Sequence, residues 1–285
     1  MKTGGASDDA GGIGAQGRSH PIAPDCDTLR SRLPVLGTGD TMHALVVGGG
    51  SISTTAPPGL LSHRLDDQEW LRREVSQARI IIGADAGAGH LWACGARPDL
   101  VVGDLDSLDQ ATINALEAAG VPFARHPTVK DATDLELAIR EAVDRGATSL
   151  LIAGATGSPS AGGERLDHLF GNVGLLGHPM VRGLGTRLIS PTHEICLITG
   201  PDTVRVIGRP MDLVSLVPLT DHVDGITTTG LAYPLAGERL SWGTSRGISN
   251  ELRQTMGMVT ATAGRLLVIH QRRHRGEGGV APTRA

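Results

Sequence analysis

Pro98-Asp99-Leu100-Val101-Val102-Gly103-Asp104-Leu105-Asp106-Ser107 joins a short apolar run to an acidic turn. Leu100-Val101-Val102 is too short and too rich in valine for a helix, and it reads as a buried strand. The same texture recurs on both sides. Upstream, His43-Ala44-Leu45-Val46-Val47 closes on Gly48-Gly49-Gly50, and Arg79-Ile80-Ile81-Ile82 leads to Asp85-Ala86-Gly87-Ala88. Downstream, Ser149-Leu150-Leu151-Ile152-Ala153 runs into Gly154-Ala155-Thr156-Gly157. Helical spacing fills the intervals at 66–78, 109–119 and 133–145, with a short helix through Leu91 and Trp92. Strands separated by helices predict βαβ units in a Rossmann-like, mainly parallel sheet. In such sheets ligands gather at the carboxyl ends of the strands.

From about residue 191 the helical period is gone. Glu194-Ile195-Cys196-Leu197-Ile198, Val204-Arg205-Val206-Ile207, Leu213-Val214-Ser215-Leu216-Val217 and Leu266-Leu267-Val268-Ile269 are parted by Gly, Pro and Asp. That spacing predicts an antiparallel β-sandwich. The expected organisation is an α/β domain over 41–190 and a sandwich over 191–270, joined near 180–192. A Gly-, Asp-, Ser- and Pro-rich leader over 1–40 and a basic tail over 271–285 read as disordered.

Composition narrows the function classes. Of the 285 residues 40% are hydrophobic but only 2% aromatic, so the core must be built from Val, Ile, Leu and Ala. A formal net charge of −4 gives no general attraction for nucleic acid or an anionic membrane, so phosphate binding has to be local. Cys26, Cys94 and Cys196 are odd in number and lack CxxC spacing, which argues against a disulfide framework or a zinc site. With no apolar run of spanning length and no secretory pattern at the start, a soluble cytoplasmic protein is expected.

Three segments carry chemistry. Asp104 and Asp106 sit where a strand leaves the sheet, and hard carboxylate oxygens there suit Mg²⁺; a solvated acidic turn has the same letters. Lys130-Asp131-Ala132-Thr133-Asp134-Leu135-Glu136 opens an amphipathic helix. Asp131 fits an N-cap with Asp134 at the third helical position. The same geometry also offers phosphate a helix N-terminus, a third carboxylate and the Lys130 ammonium. Gly154 and Thr156 belong to a glycine-rich turn that continues through Gly163, Glu164, Arg165, Leu166, Asp167 and His168 to Asn172. Its backbone can approach an anion closely, and Arg165 offers a planar charged fork. Alone, such a turn is equally a strand–helix connection. Asp85, placed after its own strand, makes turn chemistry a poorer account of the whole set. A GxxxxGK[ST] loop, a GxGxxG opening, HExxH and a nucleophile elbow are all missing, so ATP would be held another way.

Taken in order from about 43 to 270, these segments resemble the thiamine pyrophosphokinase family, and Val214 to Leu219, Thr229 to Tyr233 and Gly247 to Asn250 match it too. The resemblance implies an ATP- and Mg²⁺-binding catalytic domain followed by a thiamine-binding sandwich. It also implies a homodimer with the thiamine site between subunits. The implied reaction moves a diphosphate from ATP to the hydroxyl of thiamine, giving thiamine diphosphate and AMP. By position, Asp104, Asp106 and Asp134 are the implied Mg²⁺ ligands, and Asp85, Arg165 and Asp167 further active-site residues. Lys130, Gly154, Thr156, Arg165 and Asn172 are expected to face the nucleotide, and Asp131 or Asp167 could accept the proton. Tyr233, Ser249 and Asn250 fall where the family contacts thiamine. The Tyr233 ring can stack on a cationic heterocycle, or it can simply belong to the sandwich core. Ser158-Pro159-Ser160-Ala161 is extra to the family pattern, and the leader has no counterpart. Three rival readings remain: the same transfer to a hydroxymethylpterin, a non-catalytic nucleotide or thiamine diphosphate sensor, and an NAD(P) protein. The missing glycine fingerprint disfavours the last.

Overall fold

The computed structural model describes residues 42–52, 61–156, 159–160 and 163–273. The expected leader at 1–40 lies outside them, as does the tail from 274 onward.

The first half alternates strands and helices. Strands β1 (His43–Val47), β2 (Ile80–Ala84), β3 (Leu100–Gly103), β4 (Phe123–Arg125) and β5 (Ser149–Ala153) are interleaved with helices α1 (Leu61–Gln77), α2 (Gly87–Ala93), α3 (Gln110–Ala118) and α4 (Asp134–Asp144). Beyond a small β6–β7 ladder (Pro159–Ser160, Gly163–Glu164) come α5 (Leu166–Leu175) and β8 (Arg187–Ile189). The strands pair in parallel in the order β8-β5-β1-β2-β3-β4. β1 shows why the runs are apolar throughout. Ala44 and Val46 face the layer holding Leu135, Ala138, Ile139 and Ala142 of α4, while Leu45 and Val47 face Leu71 and Val75 of α1. A strand covered on both faces has no side that tolerates a polar residue.

The second half follows the expected antiparallel pattern but is not a detached unit. β9 (His193–Thr199) pairs antiparallel with β8, and the sheet continues through β16 (Arg265–Gln271), β11 (Leu213–Pro218) and β14 (Asn250–Glu251). One ten-stranded sheet therefore runs through both halves and changes from parallel to antiparallel at β8–β9. A second sheet, β10 (Asp202–Ile207), β15 (Met256–Ala261), β12 (His222–Thr229) and β13 (Ala236–Ser241), closes the sandwich. Ile198, Leu216 and Val268 from one sheet meet Val223, Ile226 and Val259 from the other in its core.

Residues 271–273, expected to open the tail, belong instead to the sandwich. Gln271 closes β16, Arg272 N–H donates to the Thr192 carbonyl at 2.8 Å, and Arg273 N–H donates to Asp212 Oδ1 at 3.0 Å. Pairing to the sandwich outweighs the basic composition there. No described helix is long and apolar enough to cross a membrane.

Chain order makes β1 the pivot of the parallel sheet: β2, β3 and β4 build outward on one side, and β5 returns to its other edge. Such a reversal leaves a crevice at the carboxyl ends of the two central strands. Glycines let the loops meet there. Gly48 N–H donates to the Ala153 carbonyl and Gly50 N–H to the Gly154 carbonyl, both at 2.8 Å. A Cβ on Gly154, whose φ is +63°, would lie 2.2 Å from the Gly48 carbonyl oxygen. α2 comes equally close, since a Cβ on Gly87 would sit 1.8 Å from the Val47 carbonyl oxygen.

That contact is backbone against backbone, so it cannot be relieved by a rotamer change. Gly87→Ala is expected to lower stability by about 1–3 kcal/mol as α2 is pushed off β1. Urea unfolding checks this, and a wild-type midpoint would refute the close-packing account.

Candidate active site

The carboxyl ends of β1, β2, β3 and β5 open into a cavity of about 860 Å³, bounded by Gly48–Gly50, Gly154, the start of α4 and α5. Its distinguishing feature is an acidic wall. Asp85, Asp104 and Asp134 come from the loop after β2, the loop after β3 and the first residue of α4, and one carboxylate oxygen of each lies within 4.8 Å of the others. The backbone is shaped to achieve this. Asp85 sits at φ +47°, a left-handed value that Asp tolerates better than bulky residues. Leu105, at φ +68°, turns its own side chain into the core.

That turn at Leu105 separates the members of the expected ligand trio. Asp104 stays in the wall, but Asp106 is thrown to the exposed rim, where it accepts from the Ser107 hydroxyl at 3.0 Å. Asp106 still lines the cavity. Asp85 takes the expected place of Asp106 in the converging set. The helix cap is also shifted. Thr133, not Asp131, caps α4, its hydroxyl accepting from Glu136 N–H at 3.2 Å, and Asp134 is the first helical residue rather than the third. Thr133 reaches the right N–H from an extended backbone, which leaves Asp131 exposed on the cavity rim.

The wall carries its own counter-charge. Lys130 Nζ lies 3.2 Å from Asp104 Oδ2 and 3.0 Å from Asp134 Oδ1. Partial desolvation opposes its charge, but the two carboxylates prevail and hold its pKa above the usual lysine value. Asp104 is held below the usual carboxylate range by the Asp106 N–H, with Lys130 and the Thr128 hydroxyl assisting against desolvation. Asp85 moves the other way. Burial pushes its pKa up, and Asp106 and Asp134 add to the rise against the Ser107 hydroxyl and the Ala86 N–H. Oδ1 of Asp85 is buried with no hydrogen-bond partner among the described residues, and Asp134 Oδ1 has only the ion pair with Lys130. Buried carboxylate oxygens left in this state are costly, and a cation would relieve them.

Across the cavity, Arg165 and Asp167 form an exposed two-pronged pair, Nε to Oδ1 at 2.9 Å and Nη2 to Oδ2 at 2.7 Å. The guanidinium holds the Asp167 carboxyl well below its usual range. Arg165 lines the cavity with His168, Leu169 and Asn172; Asp167 does not. Asn172 donates to the Ala155 carbonyl at 3.0 Å and so ties α5 to the β5 loop. Gly154 lies in the floor, whereas Thr156 is half-buried and does not line the space. Within the extra segment, Pro159–Ser160 pairs with Gly163–Glu164; residues 157–158 and 161–162 lie outside the described part. His168, in the segment read as anion-binding, lines the cavity, and so does Thr128, which the sequence reading does not single out. Thr128 follows β4, a three-residue strand with too little periodicity to read.

Tyr233, Ser249 and Asn250 form a second cluster, and none of them lines this cavity. Tyr233 is 70% exposed and is therefore not a core residue, while Trp242 nearby in sequence is 63% exposed. Ser249 holds φ +60°, and its N–H donates to Ser215 Oγ at 3.0 Å.

Two family models match the chain, the thiamin pyrophosphokinase catalytic domain over residues 71–186 and the thiamin pyrophosphokinase vitamin B1 binding domain over 200–266. The chain belongs to the thiamin pyrophosphokinase family. It is 29% identical over 188 residues to a thiamine pyrophosphokinase of Bacillus subtilis (strain 168), covering 66% of this chain and 85% of that one. The crystal structure of thiamine pyrophosphokinase from Bacillus subtilis is similar with a TM-score of 0.66 at 25% identity, over 81% of this chain and 100% of the other. That of thiamin pyrophosphokinase from Geobacillus thermodenitrificans gives 0.62 at 28% identity, over 82% and 99%.

Lys130→Met leaves Asp104 and Asp134 facing each other without their ammonium. The expected loss is about 1 kcal/mol in the absence of divalent ions, the upper end for an ion pair that solvent can still reach. Thermal unfolding in chelator measures it, and an unchanged midpoint would show that the pair contributes nothing to stability.

Proposed function

We propose that this protein transfers a diphosphate group from ATP to the hydroxyl of thiamine, releasing AMP, with Mg²⁺ as its metal. Family membership supports the reaction class. The observation that carries the chemistry is the convergence of Asp85, Asp104 and Asp134, with the buried Asp85 Oδ1 lacking a partner among the described residues, at the mouth of a glycine-floored crevice.

Those residues fit a hard divalent cation, because the set is all oxygen and anionic and is supplied from three separate elements. Asp85, Asp104 and Asp134 would hold the ion, and Asp106 at the rim adds negative charge beside it. When bound, Mg²⁺ neutralises polyphosphate oxygens and makes the β-phosphorus a better electrophile. The rest of the work is positioning. The glycine floor lets the loops pack against one another where any side chain would collide with backbone, and the cavity beside them stays open to the phosphates. Lys130 supplies positive charge at the acidic wall, and Arg165 presents a fork for which a phosphate competes with Asp167. The thiamine hydroxyl attacks in line and AMP departs. Of the two carboxylates considered as proton acceptors, Asp131 lines the cavity; Asp167 does not, and its low pKa makes it the weaker base.

Thiamine recognition falls to the exposed Tyr233 and its neighbours Ser249 and Asn250. Because they lie outside the acidic cavity of their own chain, the proposal includes a homodimer in which one protomer's Tyr233 cluster serves its partner's acidic wall.

Asp104→Asn is expected to reduce Mg²⁺-dependent AMP release by about 100-fold or more, the scale for removing charge-stabilising groups from a transition state. Near wild-type turnover would sink the metal assignment. The shared-site arrangement has its own check, in which Asp104→Asn chains are mixed with Tyr233→Ala chains. Each mixed dimer regains one intact site, so activity should return to roughly a quarter of wild type in a statistical mixture. No recovery after verified subunit exchange would mean that each chain completes its own site.

A further inference from the structure

We infer that Asn250 is a positioning residue that acts through Tyr233, and that its amide fixes the backbone from which the tyrosine ring is presented. The inference rests on the proposed role of Tyr233 in thiamine binding and changes what Asn250 does there.

The geometry leaves Asn250 little capacity to touch a ligand. Its residue surface is only 8% exposed, at the start of the short edge strand β14. Oδ1 accepts two hydrogen bonds, from Tyr233 N–H at 3.0 Å and from Glu251 N–H at 2.9 Å. Nδ2 donates to the Tyr233 carbonyl at 2.7 Å. Both lone-pair directions of the oxygen are thus used, and both main-chain polar groups of Tyr233 are satisfied by this one side chain. A side chain that bonds the donor and the acceptor of a single residue holds that residue much as a paired strand would.

The surroundings reinforce the hold. Ala232 N–H donates to the Glu251 carbonyl at 2.8 Å, and Leu231 bridges to Leu252. On the other side, Leu235 N–H donates to the Thr228 hydroxyl at 2.9 Å. The turn before Asn250 is itself pinned, with Ser249 in a left-handed conformation and bonded to Ser215. Residues 231–235 are therefore fixed along their backbone, while the Tyr233 ring projects into solvent. An aromatic platform on an immobile backbone loses little entropy when a flat cationic ring stacks on it. Asparagine is specifically required. An aspartate could accept from both N–H groups, but it would set a carboxylate oxygen against the Tyr233 carbonyl.

The test uses the full-length protein and steady-state kinetics with thiamine and ATP varied separately. Asn250→Asp and Asn250→Ala are each expected to raise the thiamine KM roughly tenfold or more, the scale for a misplaced contact, and to leave the ATP KM and kcat near wild type. In a Tyr233→Ala background the same substitutions should add less than about twofold, since an interaction transmitted through one residue disappears with it. Tyr233 is the only tyrosine in the chain, so 3-fluorotyrosine labelling gives a single ¹⁹F resonance. That resonance should be sharp in wild type and broadened or split in Asn250→Asp.

An unchanged thiamine KM in Asn250→Asp, with Tyr233→Ala impaired, overturns the role assigned to Asn250 and leaves the Tyr233 reading standing. A full multiplicative effect of Asn250→Ala on top of Tyr233→Ala does the same, because it shows a path that bypasses the ring. An unchanged thiamine KM in Tyr233→Ala itself overturns the platform and this inference with it.

Discussion

Carboxylates held within 4.8 Å of one another repel, and no chain gathers three of them at a partly buried point without cost. The arrangement persists because it hangs from the stiffest part of the molecule. Asp85 and Asp104 follow strands with fully buried patterns, and Asp134 opens the helix packed across those strands. The apolar layers that anchor β1, β2, β3 and α4 therefore supply the energy that holds the charges together. Lys130 offsets part of the repulsion, yet it reaches only Asp104 and Asp134. Asp85 is left with a buried oxygen that has no partner among the described residues, and with a raised pKa. That cost is what the proposed cation would offset.

The glycines answer a different constraint. In a phosphate-binding loop, glycine is often read as a provider of free N–H groups. Here the N–H groups of Gly48 and Gly50 are spent on the β5 loop. What these residues contribute is space, because a Cβ at Gly48, Gly87 or Gly154 would meet backbone atoms at 2.8 Å or less. Three backbone segments converge at the switch point without side chains between them, and the crevice beside them stays open for something large and polar.

Much of this was legible because the physics is local. Buried parallel strands must be apolar along their length, so β1, β3 and β5 stand out, and each ends in the Gly or Asp that its turn requires. α3 and α4 are read almost to their ends because helical spacing is clear within them, although the α4 cap is Thr133 rather than the expected Asp131. What escaped depends on direction or on partners distant in sequence. The spacing of Asp104 and Asp106 suggests a pair of ligands, but with the left-handed turn at Leu105 between them Asp104 joins the acidic wall and Asp106 stays on the exposed rim. Strand β4 is three residues long and is held only by β3, so nothing in its own letters marks it, and Thr128 beyond it was missed for the same reason. β12, β13 and β15 are built on Thr, Gly and Met, whose alternation is too weak to register without the sheet they join.

The unbroken sheet also bears on how the two halves cooperate. A two-domain protein joined by a linker can close on its substrates by bending between domains. In this chain β8 pairs with both β5 and β9, so the acidic wall and the Tyr233 cluster are borne on opposite ends of one hydrogen-bonded sheet. Bending there would break ladder bonds and expose the apolar layer beneath them, which includes Leu188 and Ile195. In the proposed homodimer the two ends are therefore brought together by docking a second protomer as a rigid body, not by bending within one chain. Within one chain the separation between the phosphate end and the aromatic end is fixed by strand pairing, and each end can be shaped for its own ligand independently of the other.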